Sequence, residues 1–201
     1  FFYYLDMNQI SMNVVGYGAA GQGKLCLRYV ENIFLTGQEY DRHKPYDSYQ
    51  KSVNLDKTDY SAEIRPVVFF SDETNPIHKF YMNSGDCFLF VFGINSRTQF
   101  DNVADFFLNI QETRAKFSCV LVGSKSDLET SRQVSKEEAS ELATVFGNLA
   151  GCNCNYFETS ALSGTYESVS LPFETGIRQF TEMSLQQEEV TKEDKICFLM
   201  Q

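Results

Sequence analysis

Residues 16–24 read Gly-Tyr-Gly-Ala-Ala-Gly-Gln-Gly-Lys, and this stretch decides the fold of the chain. The apolar run 10–15 precedes it, and a helix-like segment, 25–34, follows it. A strand, a glycine-rich turn and a helix in this order direct backbone N–H groups at a phosphate. The spacing from Gly18 to Lys24 is that of a P-loop, in which the lysine reaches the β- and γ-phosphates.

The same glycines allow two other interpretations. Glycines at 16, 18 and 21 also fit the Gly-x-Gly-x-x-Gly fingerprint of dinucleotide-binding folds. That fingerprint needs an acidic residue at the end of the second strand to bind a ribose, whereas Glu39 and Asp41 fall in a predicted loop. A purely structural glycine turn is the third interpretation, so the rest of the chain must decide.

Composition excludes several classes of function. The chain has 201 residues, of which 43% are hydrophobic and 22% charged, as is typical of one soluble globular domain. A net charge of −10 disfavours a nucleic-acid surface and a polybasic membrane patch. No apolar run approaches the roughly 20 residues of a membrane-spanning helix. We expect a cytoplasmic protein with peripheral membrane contact only through its C-terminal tail.

The six cysteines, read without a signal peptide, predict free thiols in a reducing compartment. Cys26, Cys87 and Cys119 lie in apolar segments, where a reduced cysteine behaves as a small hydrophobe. The sequence Cys-Asn-Cys at 152–154 suggests zinc, but the chain has only two histidines and no second cysteine pair at finger spacing. Loop thiols are the preferred interpretation, and no metal site is predicted.

The order of apolar runs and amphipathic stretches predicts the architecture. Short apolar runs typical of buried strands lie at 10–15, 65–70, 87–94, 118–123 and 155–160. Helical patterns lie between them: an apolar stripe of Phe100, Val103, Phe106, Phe107 and Ile110, a helix with a capping box at Ser135, and a last stripe of Val169, Phe173, Ile177 and Phe180, in which Pro172 fits only in the first turn. Segment 47–56 alternates like a half-exposed strand and pairs with 62–70 as a hairpin. We therefore predict a three-layer α/β fold of the P-loop NTPase type. Its six-stranded sheet is mostly parallel with one antiparallel edge strand, and helices cover both faces.

Two further motifs identify a family. Residues 120–128, Val-Leu-Val-Gly-Ser-Lys-Ser-Asp-Leu, are similar to the N/T-K-x-D motif of the Ras superfamily of small GTPases. Residues 158–162, Glu-Thr-Ser-Ala-Leu, resemble the family's E-T/C-S-A-K/L motif. Each follows a predicted strand, and the resemblance extends over about residues 8–182. It implies a G domain over 9–184, between an N-terminal extension, 1–8, and a flexible tail, 185–201.

The resemblance implies a guanine-nucleotide site for GTP or GDP. The Asp127 carboxylate has two acceptors that match the N1–H and N2–H₂ donors of guanine, a pair that adenine lacks. The implied guanine-binding residues are Phe34, Ser124, Lys125, Asp127, Ser160, Ala161 and Leu162. The implied phosphate-binding residues are Gly18, Ala20, Gly21, Gln22, Gly23, Lys24, Leu25 and Cys26.

Departures from the family pattern bear on catalysis. Leu25 stands where Ser or Thr binds Mg²⁺, and Lys44 or a neighbour replaces the threonine of the first switch. Asp72 to Asn75 is a D-x-x-G motif without its glycine. We expect doubtful Mg²⁺ binding, weak nucleotide binding, little hydrolysis and no catalytic residue, with Arg42 or Lys44 as a substitute charge for the metal. Function then rests on protein partners: an effector, a regulator or a complex subunit.

Two alternatives remain open at this point. One is an active but slow GTPase switch that a partner completes, and the other is a pseudo-GTPase scaffold without nucleotide. At the C-terminus, Cys197 begins Cys-Phe-Leu-Met-Gln, a prenylation box displaced by one residue. Lipidation of Cys197 and a simple hydrophobic tail are both compatible with it. The segment 1–5 is expected to pack on the sheet or on a partner.

Overall fold

The structure is a computed structural model that describes residues 8–43, 48–69 and 76–199. Its strands and helices alternate along the chain, as the sequence predicts. In order they are β1 (Gln9–Tyr17), α1 (Gln22–Glu31), α2 (Gly37–His43), β2 (Tyr49–Leu55), β3 (Thr58–Phe69), α3 (Pro76–Ser84), β4 (Cys87–Gly93), α4 (Arg97–Thr113), β5 (Ser118–Ser124), α5 (Lys136–Ala150), β6 (Asn155–Glu158) and α6 (Tyr166–Leu199). A 3₁₀ helix, Ser126–Ser131, lies between β5 and α5.

The predicted sheet is confirmed. Its strand order is β2-β3-β1-β4-β5-β6. The edge strand β2 runs antiparallel to β3, and every other neighbouring pair is parallel. Because parallel strands end at the same edge of a sheet, the segments that follow β1, β5 and β6 are brought together there.

Two apolar cores cover the two faces of the sheet. Every residue of β4 and β5 is buried, which explains their continuous apolar sequences. One face packs against α1 and α6, where the fully buried Tyr29 stacks on Phe173 with ring centroids 4.2 Å apart. The other face packs against α4 and α5 and is rich in phenylalanine. This double burial fixes the strands that carry the site.

Three helices differ from the sequence-based expectation. Segment 37–43 is the helix α2 and not a loop: the Thr36 N–H and hydroxyl both donate to the Glu39 carboxylate, at 3.1 and 2.6 Å. This is the Thr-x-x-Glu capping box, a signal present in the sequence. Helix α1 ends at Glu31, so Phe34 lies beyond it.

The last helix is longer than predicted at both ends. It begins at Tyr166, so Pro172 lies in its second turn and not in the first. The backbone remains helical to Leu199, whereas the sequence predicts a flexible tail from 185. The segment 185–195 is rich in Gln, Glu and Lys, which have high helix propensity, and this accounts for the continuation.

Some predictions concern parts of the chain outside this description. They are those for the segment 1–5, for Lys44, for Asp72 to Asn75, and for the side chains of Arg42 and Cys197. Within the described residues, no helix combines the length and the apolar character needed to cross a membrane.

Candidate functional site

The glycine-rich turn after β1 has the backbone of a phosphate-binding loop. Gly18 and Gly21 have φ values of 54° and 100°, in the left-handed region that favours glycine. The Gly18 N–H donates to the Phe69 carbonyl at 3.1 Å and ties the turn to β3. The buried Gln22 side chain bends back, and its amide donates to the Gly18 carbonyl at 3.1 Å. This bond ties the first residue of α1 to the glycine-rich turn.

The segment after β5 is hydrogen-bonded directly to this loop. The buried Ser124 hydroxyl donates to the Ala20 carbonyl. The Lys125 ammonium donates to the Ala19 carbonyl at 2.7 Å, from a residue in left-handed conformation with φ 59°. Burial and the neighbouring charge of Lys24 lower the pKa of Lys125, against the opposing effect of Asp127. The glycine-rich turn and the segment 124–127, which are far apart in sequence, therefore form one wall of the candidate site.

The segment after β6 completes the same wall. The buried Ser160 hydroxyl donates to one carboxylate oxygen of Asp127 and accepts the N–H groups of Leu162 and Ser163, at 3.1 and 3.2 Å. The Ser126 N–H also donates to the Thr159 carbonyl at 3.2 Å. The Ser160 hydroxyl thus orients the Asp127 carboxylate through one oxygen, and the second oxygen can accept a hydrogen bond from a ligand. A carboxylate held in this way can accept two adjacent N–H donors of a planar base.

An ion pair between Arg132 and Glu158 supports this wall of the site. Arg132 makes two parallel hydrogen bonds of 2.8 Å to the Glu158 carboxylate, which also accepts the Tyr156 hydroxyl at 2.6 Å. Burial raises the pKa of Glu158, but the bonds from Arg132 and Tyr156 outweigh it, and the pKa lies below its usual value. Glu158, the first residue of the motif at 158–162, therefore braces the loop that follows it.

This ion pair predicts a loss of stability in acid. Because the pKa of Glu158 is lowered in the folded state, the unfolded chain takes up a proton there first as the pH falls below the ordinary value of 4.5. The contribution is complete above that value and disappears as the pH falls through the lowered pKa. We expect Glu158→Gln to flatten the decrease in the free energy of unfolding between about pH 5 and pH 3. Urea unfolding at several pH values measures it.

The matched control for this prediction is Glu141→Gln, since Glu141 is exposed on α5. The control variant should keep the wild-type decrease. An unchanged decrease in Glu158→Gln would show that the ion pair with Arg132 contributes nothing to acid sensitivity.

Lys24, in the glycine-rich loop, lies near two aromatic rings. Its Nζ lies 4.9 Å from the centroid of Phe34 and 5.9 Å from that of Tyr40, a residue of α2. A Cβ on Gly23 would overlap the Tyr40 hydroxyl, so this hydroxyl lies directly over the Gly23 backbone. Tyr40 was not among the predicted site residues. The capping box that starts α2 is the sequence signal that could have indicated its position.

Comparison with known proteins decides the family. The Ras family model matches residues 11–182. The chain belongs to the Ras family. Among curated relatives, the Ras-related protein R-Ras of Rattus norvegicus is 35% identical over 150 residues, which cover 74% of this chain and 64% of the relative. The R-Ras proteins of Homo sapiens and Mus musculus are 35% and 34% identical over the same length and with the same coverage.

Membership of the Ras family implies guanine-nucleotide binding in general, together with protein effectors and regulators. The matched part of the chain spans less than two thirds of the R-Ras proteins, 64% of their length. The α/β fold expected from the resemblance is confirmed. The structure also brings the loops at 18–24, 124–127 and 160–162 together at one edge of the sheet.

The sequence resemblance places the family's magnesium-binding hydroxyl at Leu25, a side chain that offers no ligand to a metal. Leu25 has no hydroxyl, and its side chain is 2% exposed within the core that α1 and α6 form. Cys26, beside it, is also fully buried, and burial raises the pKa of its thiol. Among the residues that the structure describes, no three His, Cys, Asp or Glu side chains form a group able to hold a metal ion.

Proposed function

We propose that this Ras-family chain binds GDP and GTP weakly, with little dependence on Mg²⁺ and little or no hydrolysis. It acts in signalling or trafficking by binding protein partners. The observation that carries the proposal is the meeting of three loops: Lys125 donates to Ala19 at 2.7 Å, while the Ser160 hydroxyl orients Asp127. The residues that we assign to base recognition therefore lie next to the glycine-rich loop.

The base end has the donors and acceptors that guanine requires. We assign the N1–H and N2–H₂ contacts to Asp127, the stacking surface to the Lys125 stem and Phe34, and the contact to O6 to the Ala161 N–H. Ser124 and Ser160 act through other groups: Ser124 on the Ala20 carbonyl and Ser160 on Asp127. Leu162 is 58% exposed at the rim of this site.

At the phosphate end, the described part of the chain offers the loop amides and the Lys24 ammonium. The backbone N–H groups from Ala19 to Lys24 and the Lys24 ammonium would hold an α- and a β-phosphate. The Gly18 and Leu25 N–H groups instead donate to the Phe69 and Gly21 carbonyls, at 3.1 and 2.9 Å. With Leu25 buried and apolar, nothing at that position orients a metal or a γ-phosphate. Losing two or three charge-assisted contacts of about 1.5–3 kcal/mol each weakens affinity by roughly 10²–10⁶. We expect a micromolar site in place of a tight one.

Three measurements test this proposal. We expect purified protein to release little GDP or GTP on denaturation. Calorimetry should give micromolar GDP binding that changes less than about tenfold when Mg²⁺ is removed. Single-turnover hydrolysis of GTP should not exceed that of a Lys24→Ala control. Tight, strongly Mg²⁺-dependent binding with hydrolysis above the control would establish a slow GTPase, and no binding at all would establish a nucleotide-free scaffold.

Tyr40 predicts a separate effect on the phosphate end. Its hydroxyl lies over Gly23, where a β-phosphate bound by the loop amides must approach the backbone. We expect Tyr40→Phe to strengthen GDP binding about two- to tenfold, the range of one neutral hydrogen bond. Guanosine, which has no phosphate, should bind equally to both proteins in the same calorimetric titrations.

Tyr60→Phe is the matched control, because Tyr60 lies on β3 among residues of the β2–β3 hairpin and α6. It should leave GDP affinity unchanged. A weaker GDP complex with Tyr40→Phe would mean that the hydroxyl assists phosphate binding and does not compete with it.

A further inference from the structure

Three thiols meet on the side of the sheet opposite the first core. Cys119, in β5, is fully buried, Cys154 is 8% exposed, and Cys152 is partly exposed in the connection between α5 and β6. The Sγ atoms of Cys119 and Cys152 are 3.5 Å apart. All three are free thiols, and none has a part in the nucleotide site proposed above.

The backbone fixes the position of this partly exposed thiol. Helix α5 ends at Ala150, and its C-cap Gly151 reverses the chain with a φ of 66°. The Cys152 N–H then donates to the Gly147 carbonyl at 3.0 Å. A Cβ on Gly147 would lie 2.9 Å from both the Cys152 carbonyl oxygen and the Cys154 nitrogen. The connection between α5 and β6 therefore packs against the end of α5, and the Cys152 thiol faces β5.

The two close thiols differ in their tendency to ionise. The hydrogen bond from Cys119 lowers the pKa of Cys152 and outweighs the effect of its burial. Hydrogen bonds with Cys152 and Cys154, together with burial, raise the pKa of Cys119. Either sulfur can be the donor in this contact, and Cys152 is the partly exposed member of the pair. Since the thiolate is the nucleophile, Cys152 is the more reactive member of the pair.

We propose that Cys152 is a site of oxidation by hydroperoxides, and that Cys119 resolves the oxidised sulfur into a Cys119–Cys152 disulfide. The geometry carries this proposal: Cys152 is a partly exposed residue, Cys119 is buried, and their sulfurs are already 3.5 Å apart. A disulfide has a length of about 2.05 Å, so closure requires the sulfurs to approach by roughly 1.5 Å. The proposal does not depend on nucleotide binding.

Both chemical steps are balanced with hydrogen peroxide as the oxidant. The Cys152 thiolate attacks one peroxide oxygen: an S–O bond forms, the O–O bond breaks, and hydroxide leaves. This two-electron oxidation gives a sulfenic acid. The Cys119 sulfur then attacks the Cys152 sulfur: the S–S bond forms, the S–O bond breaks, and the oxygen leaves as water with the Cys119 proton. An added dithiol reverses the reaction by thiol–disulfide exchange.

Trypsin separates the two cysteines, so peptide mapping detects the bond. Cleavage after Lys116 and Lys125 places Cys119 in the peptide 117–125, and cleavage after Lys136 and Arg178 places Cys152 in the peptide 137–178. The reduced full chain is treated with hydrogen peroxide, blocked with N-ethylmaleimide and digested. We expect a cross-linked pair of these peptides that dithiothreitol removes. Trapping with dimedone should label Cys152 at least about tenfold faster than the fully buried Cys26 and Cys87.

Serine variants assign the roles of the three thiols. Cys152→Ser should abolish both the dimedone adduct and the cross-link. Cys119→Ser should abolish the cross-link and let the Cys152 adduct accumulate. Cys154→Ser, in the same peptide as Cys152, is the matched control and should retain the cross-link. Circular dichroism confirms that each variant is folded, and alanine variants replace any serine variant that is not.

Several results would overturn the assignment. A cross-link that persists in Cys152→Ser, a bond formed between Cys152 and Cys154 within one peptide, or no cross-link after peroxide treatment of the wild type each contradicts it. Equal dimedone labelling of Cys152 and Cys26 would also contradict it, because reactivity would then be unrelated to exposure. Since every readout is a peptide mass, failure here is distinguishable from failure of GDP binding.

Discussion

Replacing Asp127 by asparagine is expected to weaken GDP binding about 100- to 1000-fold. In the proposed complex the carboxylate accepts two N–H donors of guanine, and charge-assisted bonds contribute about 1.5–3 kcal/mol each. Asparagine removes the charge and turns one acceptor into an NH₂ donor that faces the donors of the base. The Ser160 hydroxyl, which donates to Asp127, can still bond to the remaining amide oxygen. The substitution should therefore weaken ligand binding without destabilising the fold.

Competition calorimetry measures this loss, and the base itself supplies a positive test. Xanthine carries a carbonyl where guanine carries its 2-amino group, so the new amide donor should restore binding of xanthosine diphosphate. The matched control is Asp105→Asn, on the exposed side of α4, which should leave GDP affinity unchanged. GDP affinity of the Asp127 variant within about threefold of wild type would refute the assignment of the base-reading residue.

Phe107→Ala is expected to lower the free energy of unfolding by about 3–5 kcal/mol. The Phe107 ring is fully buried and stacks on Phe146, with centroids 4.0 Å apart and planes 6° from parallel. It also lies 5.3 Å from Phe117 and 5.8 Å from Phe90, measured between centroids. Removing it leaves a cavity between α4, α5 and β4. A loss of this size is a large part of the total stability of a typical domain.

Urea unfolding followed by circular dichroism gives the comparison. Leu108→Ala is the matched control, since Leu108 is the next residue of α4 but is 49% exposed. It should change the free energy of unfolding by less than about 1 kcal/mol. Equal effects of the two variants would show that the phenylalanine core does not depend on this ring.

The sequence predicts the sheet well because its strands are buried on both faces. The runs in β4 and β5 have no polar alternation, so they suit only a central parallel strand with helices on each side. The stripe Phe100, Val103, Phe106, Phe107 and Ile110 is confirmed as the buried face of α4. Ser135 likewise caps α5, accepting the Glu138 N–H at 3.1 Å. These signals are local, and each one agrees with the tertiary structure.

Tertiary contacts decided what the sequence did not predict. The hydroxyl of Tyr40 lies over Gly23 because α2 folds back across the glycine-rich turn, and no periodicity encodes that direction. The contact between Cys119 and Cys152 joins residues 33 positions apart, through the register of β5 and β6. Pro172 was expected in the first turn of a helix, but α6 begins earlier and includes it in the second turn. The spacing of residues along the sequence does not predict such contacts.

The proximity of the two candidate base-binding motifs, by contrast, could be predicted from the sequence. The motifs at 124–127 and 158–162 each follow a strand whose neighbours are fixed by the parallel topology, so their proximity follows from the fold. The sequence could not show which residues of these two motifs orient their neighbours. The Ser160 hydroxyl is occupied with Asp127, and Glu158 is occupied with Arg132, so both orient the loop from behind.

The wide sequence separation within the site has a consequence for synthesis of the chain. Lys125 bonds to a carbonyl 106 positions earlier, and Asp127 is oriented by a residue 33 positions later. A nucleotide that touches all three loops therefore gains nothing from a nascent polypeptide until Ser160 has been translated and docked. Ligand binding then stabilises only the finished domain, and it discriminates complete molecules from those arrested part-way.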